Sequence, residues 1–99
     1  MYTHIVLLQL SGLDADFHSK TEALISELKE ELPFVRSYAF VRNEARRSSG
    51  YDWAILSSFD TAADHERYQA SRMHRRIQDF MERYIDGLIV CDAATAPAP

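Results

Sequence analysis

Tyr68 and His74 stand six residues apart in the stretch RYQASRMHRRIQDF, with Ser71 between them. An imidazole and a phenol brought to one target can move a proton: the imidazole removes it from a carbon beside a carbonyl, and the phenol hydrogen-bonds the developing enolate. An unbroken helix advances about 100° per residue and would hold the two side chains roughly 120° apart, so a shared target requires a break. Ser71 is the residue to make one, because it can act as a fresh N-cap after Ala70. Counted from Met73, the residues Met73, Ile77, Phe80, Met81, Tyr84 and Ile85 form one apolar stripe, and His74 lies inside it, facing the sheet. Arg75, Arg76 and Arg83 fall on the opposite, solvated arc. The first turn of a helix disfavours a positive charge, which keeps the imidazole neutral and able to act as a base. The plainer reading of His74 is a half-buried histidine satisfied by one hydrogen bond.

His4 alternates with Val6 and Leu8 along a strand, and shares a cavity with His74 if that face meets the helices. His65 lies one turn before Tyr68 and approaches the same cavity or its rim. Trp53, Phe59 and Phe80 are the expected apolar walls, and His18 is expected at the surface. None of the four histidines has the short paired spacing of a zinc site, so no metal is expected. The chain lacks a glycine-rich phosphate loop, a nucleophile elbow and a Cys-His signature, so no cofactor is expected either.

The elements that must position these groups follow from patterning. His4 to Leu10 is a strand with two largely apolar faces, Asp16 to Leu32 an amphipathic helix capped by Asp14 or Asp16 and stopped by Pro33. Val35 to Arg42 and Tyr51 to Phe59 read as antiparallel strands joined by NEARRSSG, Thr61 and Asp64 open a short helix, and Gly87 precedes a last strand from Leu88 to Asp92. The order β-α-β-β-α-β with helices on one face is ferredoxin-like and α+β. With 99 residues there is one domain, spanning 1–92, and one layer of helices, so a second subunit is expected to cover the other sheet face as a homodimer. The closing AATAPAP, within 93–99, reads as a disordered tail.

The net charge of −4 and diluted basic clusters argue against nucleic acid, and MYTHIVLLQL is too short to span a bilayer and lacks signal-peptide features. A single cysteine, Cys91, reads as a small buried hydrophobe in a reducing, cytoplasmic setting.

The opening THIVLLQL, the run RSSGYDWAILSSFDT, and Tyr68 followed six residues later by a histidine together resemble the stress-responsive dimeric α/β barrel (Dabb) family over about residues 1 to 92. The resemblance implies two ferredoxin-like subunits packed sheet to sheet as a dimeric α/β barrel, with a cleft between sheet and helices in each. In the plant polyketide-cyclase branch, a histidine and a tyrosine of that cleft promote an aldol-type ring closure, and His4, Tyr68 and His74 match these positions. The chain departs from that branch in reading SRMH for HPxH, in carrying Trp53 where a further histidine stands, and in placing His65 at a position normally apolar. The expected function is a cofactor-free acid/base enzyme acting on a small apolar or aromatic carbonyl compound. A non-catalytic ligand-binding or stress-response protein, and a cofactor-free monooxygenase of a related barrel type, are the alternatives.

Overall fold

A computed structural model describes residues 1–95. Four strands and three α-helices alternate as β1 (Tyr2–Leu10), α1 (Phe17–Glu31), β2 (Val35–Arg42), β3 (Trp53–Phe59), α2 (Ala62–Gln69), α3 (Arg72–Met81) and β4 (Ile85–Ala94), with a single 3-10 turn at Glu82–Tyr84 before β4. The strands form one antiparallel sheet in the order β2-β3-β1-β4. This is the ferredoxin-like α+β arrangement that the element order implies.

Alternation along β1 sorts the sheet into two faces. His4, Val6 and Leu8 are buried beneath the helices, while Ile5 and Leu7 are only partly covered. Register carries the same sorting across the sheet: Ile5 pairs with Leu56 on β3 and Cys91 on β4, and Leu7 pairs with Ile89. Leu56 and Ile89 are 41% and 48% exposed, so the face opposite the helices is apolar and open in the single chain. Cys91 is exposed on that face, which corrects the expectation that it would be a buried hydrophobe.

On the helical face, Phe17, Thr21, Ile25 and Leu28 recur at helical spacing and are the buried residues of α1. Phe17, Ile25 and Leu28 meet Met73, Ile77 and Met81 of α3 in one core with Val6, Leu8, Tyr38 and Phe59. Asp16 stands at the N-cap of α1 without a side-chain cap bond; Asp14 instead accepts from the Asp16 N–H through Oδ1 at 3.1 Å. The α2 cap is as the sequence implies, with the Asp64 N–H donating to Thr61 Oγ1 at 3.1 Å.

Two boundaries move. β4 starts at Ile85, so Gly87 lies within the strand, where pairing with Gln9 of β1 requires it to be extended. At the other end β4 runs to Ala94, and the Thr95 N–H donates to the Met1 carbonyl at 2.9 Å, so residues 93–95 belong to the ordered domain. The remainder of the expected disordered tail, 96–99, lies outside the described residues. The β2–β3 connection closes through Ser49 and Gly50 at φ of 54° and 85°, a conformation that glycine takes without steric cost. Among the described residues, no helix is long and apolar enough to cross a membrane.

Candidate active site

The helix breaks where the sequence places the break. Ala70 ends α2, and Ser71 turns to an extended φ,ψ of −79°, 155° and caps α3, its Oγ accepting the His74 N–H at 3.1 Å. The same hydroxyl donates to the Tyr68 carbonyl at 2.6 Å, tying the new helix to the old. The change of direction turns Tyr68 and His74 toward each other, with ring centroids 4.8 Å apart in edge-to-face contact. Both line a cavity of about 190 Å³ together with His4. Val6, Leu8, Ile55, Ile77 and Met81 make its apolar floor, and Leu88 and Val90 of β4 make one flank.

Each polar group is held differently. The His74 Nδ1–H donates to the Gln69 carbonyl at 3.0 Å, which leaves Nε2 without a protein partner among the described residues. Partial burial pushes the His74 pKa below its ordinary 6.5, against the opposing effect of that carbonyl, and the neighbouring His4 and His65 lower it further. Neutral imidazole is thus the resting form near pH 7. The Tyr68 hydroxyl is 3.0 Å from that of Tyr38, and burial drives its pKa far up, so it stays a protonated phenol that can donate. Burial likewise pushes Tyr38 up to about 12, against the hydrogen bond it shares with Tyr68. His4 is 5% exposed and donates from Nδ1 to the Asp92 carboxylate.

Two members of this arrangement were not singled out from the sequence, Tyr38 and Asp92. Register is the signal for both: Tyr38 pairs with Ser57, which pairs with His4, which pairs with Asp92, so all four share the helical face. That signal needs the strand order, which a single strand pattern does not contain.

Four residues expected around the ligand do not line the cavity. Trp53 turns toward the β2 edge, stacked on Phe40 at 5.1 Å under the Arg42 guanidinium. Phe59 is fully buried in the core, and Phe80 stacks on Phe17 at 5.7 Å between α1 and α3. His65 is buried among the rings of Tyr2, His4 and Phe59, because α2 presents it to the sheet one turn ahead of Tyr68. Its Nε2 has no hydrogen-bond partner among the described residues. His18 is exposed, as expected.

His65 and His74 both titrate below 6.5 because burial disfavours their charged forms. The folded chain then binds fewer protons than the unfolded one between pH 6.5 and the lowered values. Stability held above that window is lost as pH falls through it. Urea midpoints at about pH 7.5 and about pH 5.5 are expected to show the loss, and His74→Gln to make it shallower. An identical fall in that variant would remove His74 from the account.

An antiparallel sheet backed by helices on one side, bare and apolar on the other, with a histidine and a tyrosine converging beneath the helices, defines a ferredoxin-like α+β domain. Residues 2–94 match the profile of the Stress responsive A/B Barrel Domain, and the chain belongs to this family, Dabb. No curated protein sequence matches it. Among solved structures, an Arabidopsis thaliana protein is similar with a TM-score of 0.84 at 14% identity, covering 100% of this chain and 99% of that one. A dimeric ferredoxin-like protein of unknown function from Jannaschia sp. CCS1 has a TM-score of 0.82 at 24% identity, covering 95% and 98%. The hydroxynitrile lyase of Passiflora edulis has a TM-score of 0.81 at 16% identity, covering 99% and 96%. At these identities the likeness is one of fold.

Proposed function

We propose that the chain is an acid/base enzyme that binds a small apolar or aromatic carbonyl compound between sheet and helices and needs no cofactor for proton transfer. The observation that carries this reading is the uncommitted Nε2 of a neutral His74 whose ring meets the Tyr68 ring in one cavity. His74 Nε2 takes a proton from the carbon next to the carbonyl, the C–H electron pair passes into an enolate, and the Tyr68 O–H donates to the enolate oxygen. Return of the proton from His74 to the same carbon closes an exchange cycle, whereas attack of the enolate carbon on a second carbonyl closes a ring as in the polyketide-cyclase branch. The π pair of that second carbonyl becomes an alkoxide that takes the proton back from His74. His4, fixed by Asp92, orients the carbonyl compound from the sheet side. At about 190 Å³ the cavity lies below the ~300–1,000 Å³ of drug-sized sites and limits the ligand to a small molecule.

The test is deuterium exchange into small aryl methyl ketones, followed by NMR in D₂O. Catalysed loss of the methyl proton signal is expected. Ketone binding without exchange leaves the ligand-binding reading, which the mutual satisfaction of the Tyr68 and Tyr38 hydroxyls favours.

The working unit in this reading is a homodimer through the open sheet face. Leu56 and Ile89 expose apolar surface there, and the Jannaschia relative is described as dimeric. Sedimentation at micromolar concentration is expected to give a dimer, and Leu56→Glu to shift it to monomer by placing a charge in the face. A wild-type chain that sediments as a folded monomer would contradict the barrel assembly.

A further inference from the structure

Beside His4 stand two groups that take no direct part in the proton transfer, one of them the Asp92 carboxylate that holds the His4 ring. His65 comes from α2 and Asp92 from β4, and one ligand atom from each of the three residues lies within 4.8 Å of the other two. We propose that His4, His65 and Asp92 form a binding site for one divalent transition-metal ion, with Zn²⁺ the best match to the two imidazoles and one carboxylate.

The geometry is close to what an ion requires. Three atoms within 4.8 Å of one another lie no farther than about 2.8 Å (4.8 divided by √3) from a common centre. Zinc bonds to nitrogen and oxygen are about 2.0–2.2 Å, so the three side chains close on the ion by less than about 1 Å each. An ion bound by both His4 and Asp92 would also displace or replace the proton of the hydrogen bond that now joins them.

The second observation is independent of spacing. His65 is 4% exposed, yet its Nε2 meets no donor or acceptor among the described residues. The rings of Tyr2, His4, Phe59 and Tyr68 surround it at centroid distances of 5.3, 4.4, 5.2 and 6.2 Å. Buried polar atoms are nearly always paired, and an ion held by the adjacent His4 and Asp92 supplies the missing partner. The Asp92 side chain is 31% exposed and provides the route from solvent. Three protein ligands leave a fourth position open, and since His4 also lines the cavity, the ion stands at the cavity's edge.

The three ligands come from separate elements far apart in the chain, so the lack of paired histidine spacing does not bear on this site. Cys91, next to Asp92, points to the opposite face and cannot join it. The proposal does not rest on the proton-transfer reading, because metal uptake is measured without any carbonyl compound.

The experiment uses the full chain carrying Cys91→Ser, which removes the thiol as a competing ligand, after dialysis against a chelator. Calorimetric titration with Zn²⁺ is expected to give one ion per chain with proton release, and Co²⁺ to give visible absorption bands. Asp92→Asn and His65→Gln are each expected to weaken Zn²⁺ binding at least tenfold, about the smallest loss seen even for residues that only support a ligand. His18→Ala, at an exposed histidine, is expected to change nothing. Should His65→Gln fail to fold by circular dichroism, Asp92→Asn decides alone, since its side chain sits on an edge strand. Absence of stoichiometric uptake, or uptake unchanged in Asp92→Asn, overturns the proposal.

Discussion

Alanine at His74 is expected to slow proton exchange by about 10²–10⁴-fold, the usual contribution of a positioned acid or base. The expectation rests on Nε2 of His74, which lies on a neutral cavity histidine and has no protein partner among the described residues. Its Nδ1 tie to the Gln69 carbonyl fixes which nitrogen faces the chemistry, so the role belongs to Nε2. The loss should fall on kcat, because the proton moves in the transition state, with KM set by the apolar floor and little affected. Stability should change much less, by about 1 kcal/mol, since His74 is only partly buried and its main packing partner is the Tyr68 ring. Tyr68→Phe should slow exchange as well while keeping the ring contact. Undiminished exchange in His74→Ala would sink the acid/base reading outright.

Phe17→Ala is expected to cost about 3–5 kcal/mol of folding stability, the range for truncating a fully buried phenylalanine. Phe17 is 0% exposed and is the aromatic hub of the core: the rings of Tyr84, Phe40 and Phe80 meet it at 4.9, 5.7 and 5.7 Å. Phe80 lies at the margin of the same cluster and is only partly buried, so its truncation should cost about 1–3 kcal/mol, with residual cavity volume the deciding quantity. Arg75, exposed on the far arc of α3, should tolerate alanine within about 0.5 kcal/mol. Chemical denaturation of the three variants checks the ranking, and equal costs at Phe17 and Arg75 would refute the packing described.

Much of the local structure was legible because it depends on short-range chemistry. Ser71 and Thr61 announce their helices by side-chain capping, and the phase of Met73, Ile77 and Met81 fixes which side of α3 is buried. That phase, restarted at Ser71, is also why the approach of His74 to Tyr68 could be anticipated. What the pattern does not contain is which strand lies beside which. Trp53 and Phe80 satisfy the apolar pattern, but only the sheet order tells that Trp53 leans to the β2 edge and Phe80 to the helix interface. Asp92 was hidden for the same reason, since its meaning comes from pairing with His4 at the other end of the chain. Cys91 was misread because burial was inferred from residue type, whereas strand alternation turns it to the open face.

The pairing of β1 with β4 sets the order in which the molecule can be completed. β1 lies between β3 and β4, and its second edge is filled only by the final strand of the described chain. During synthesis His4, Val6 and Leu8 therefore wait, with one edge of their strand unpaired, until residues 85–94 have emerged. Contacts of such long sequence separation form late and leave the growing chain open to pairing with other molecules. A message truncated ahead of Ile85 would yield a nascent product whose nine-residue strand β1 has one bare edge and which lacks Leu88, Val90 and Asp92, a species suited to capture by chaperones rather than to any chemistry.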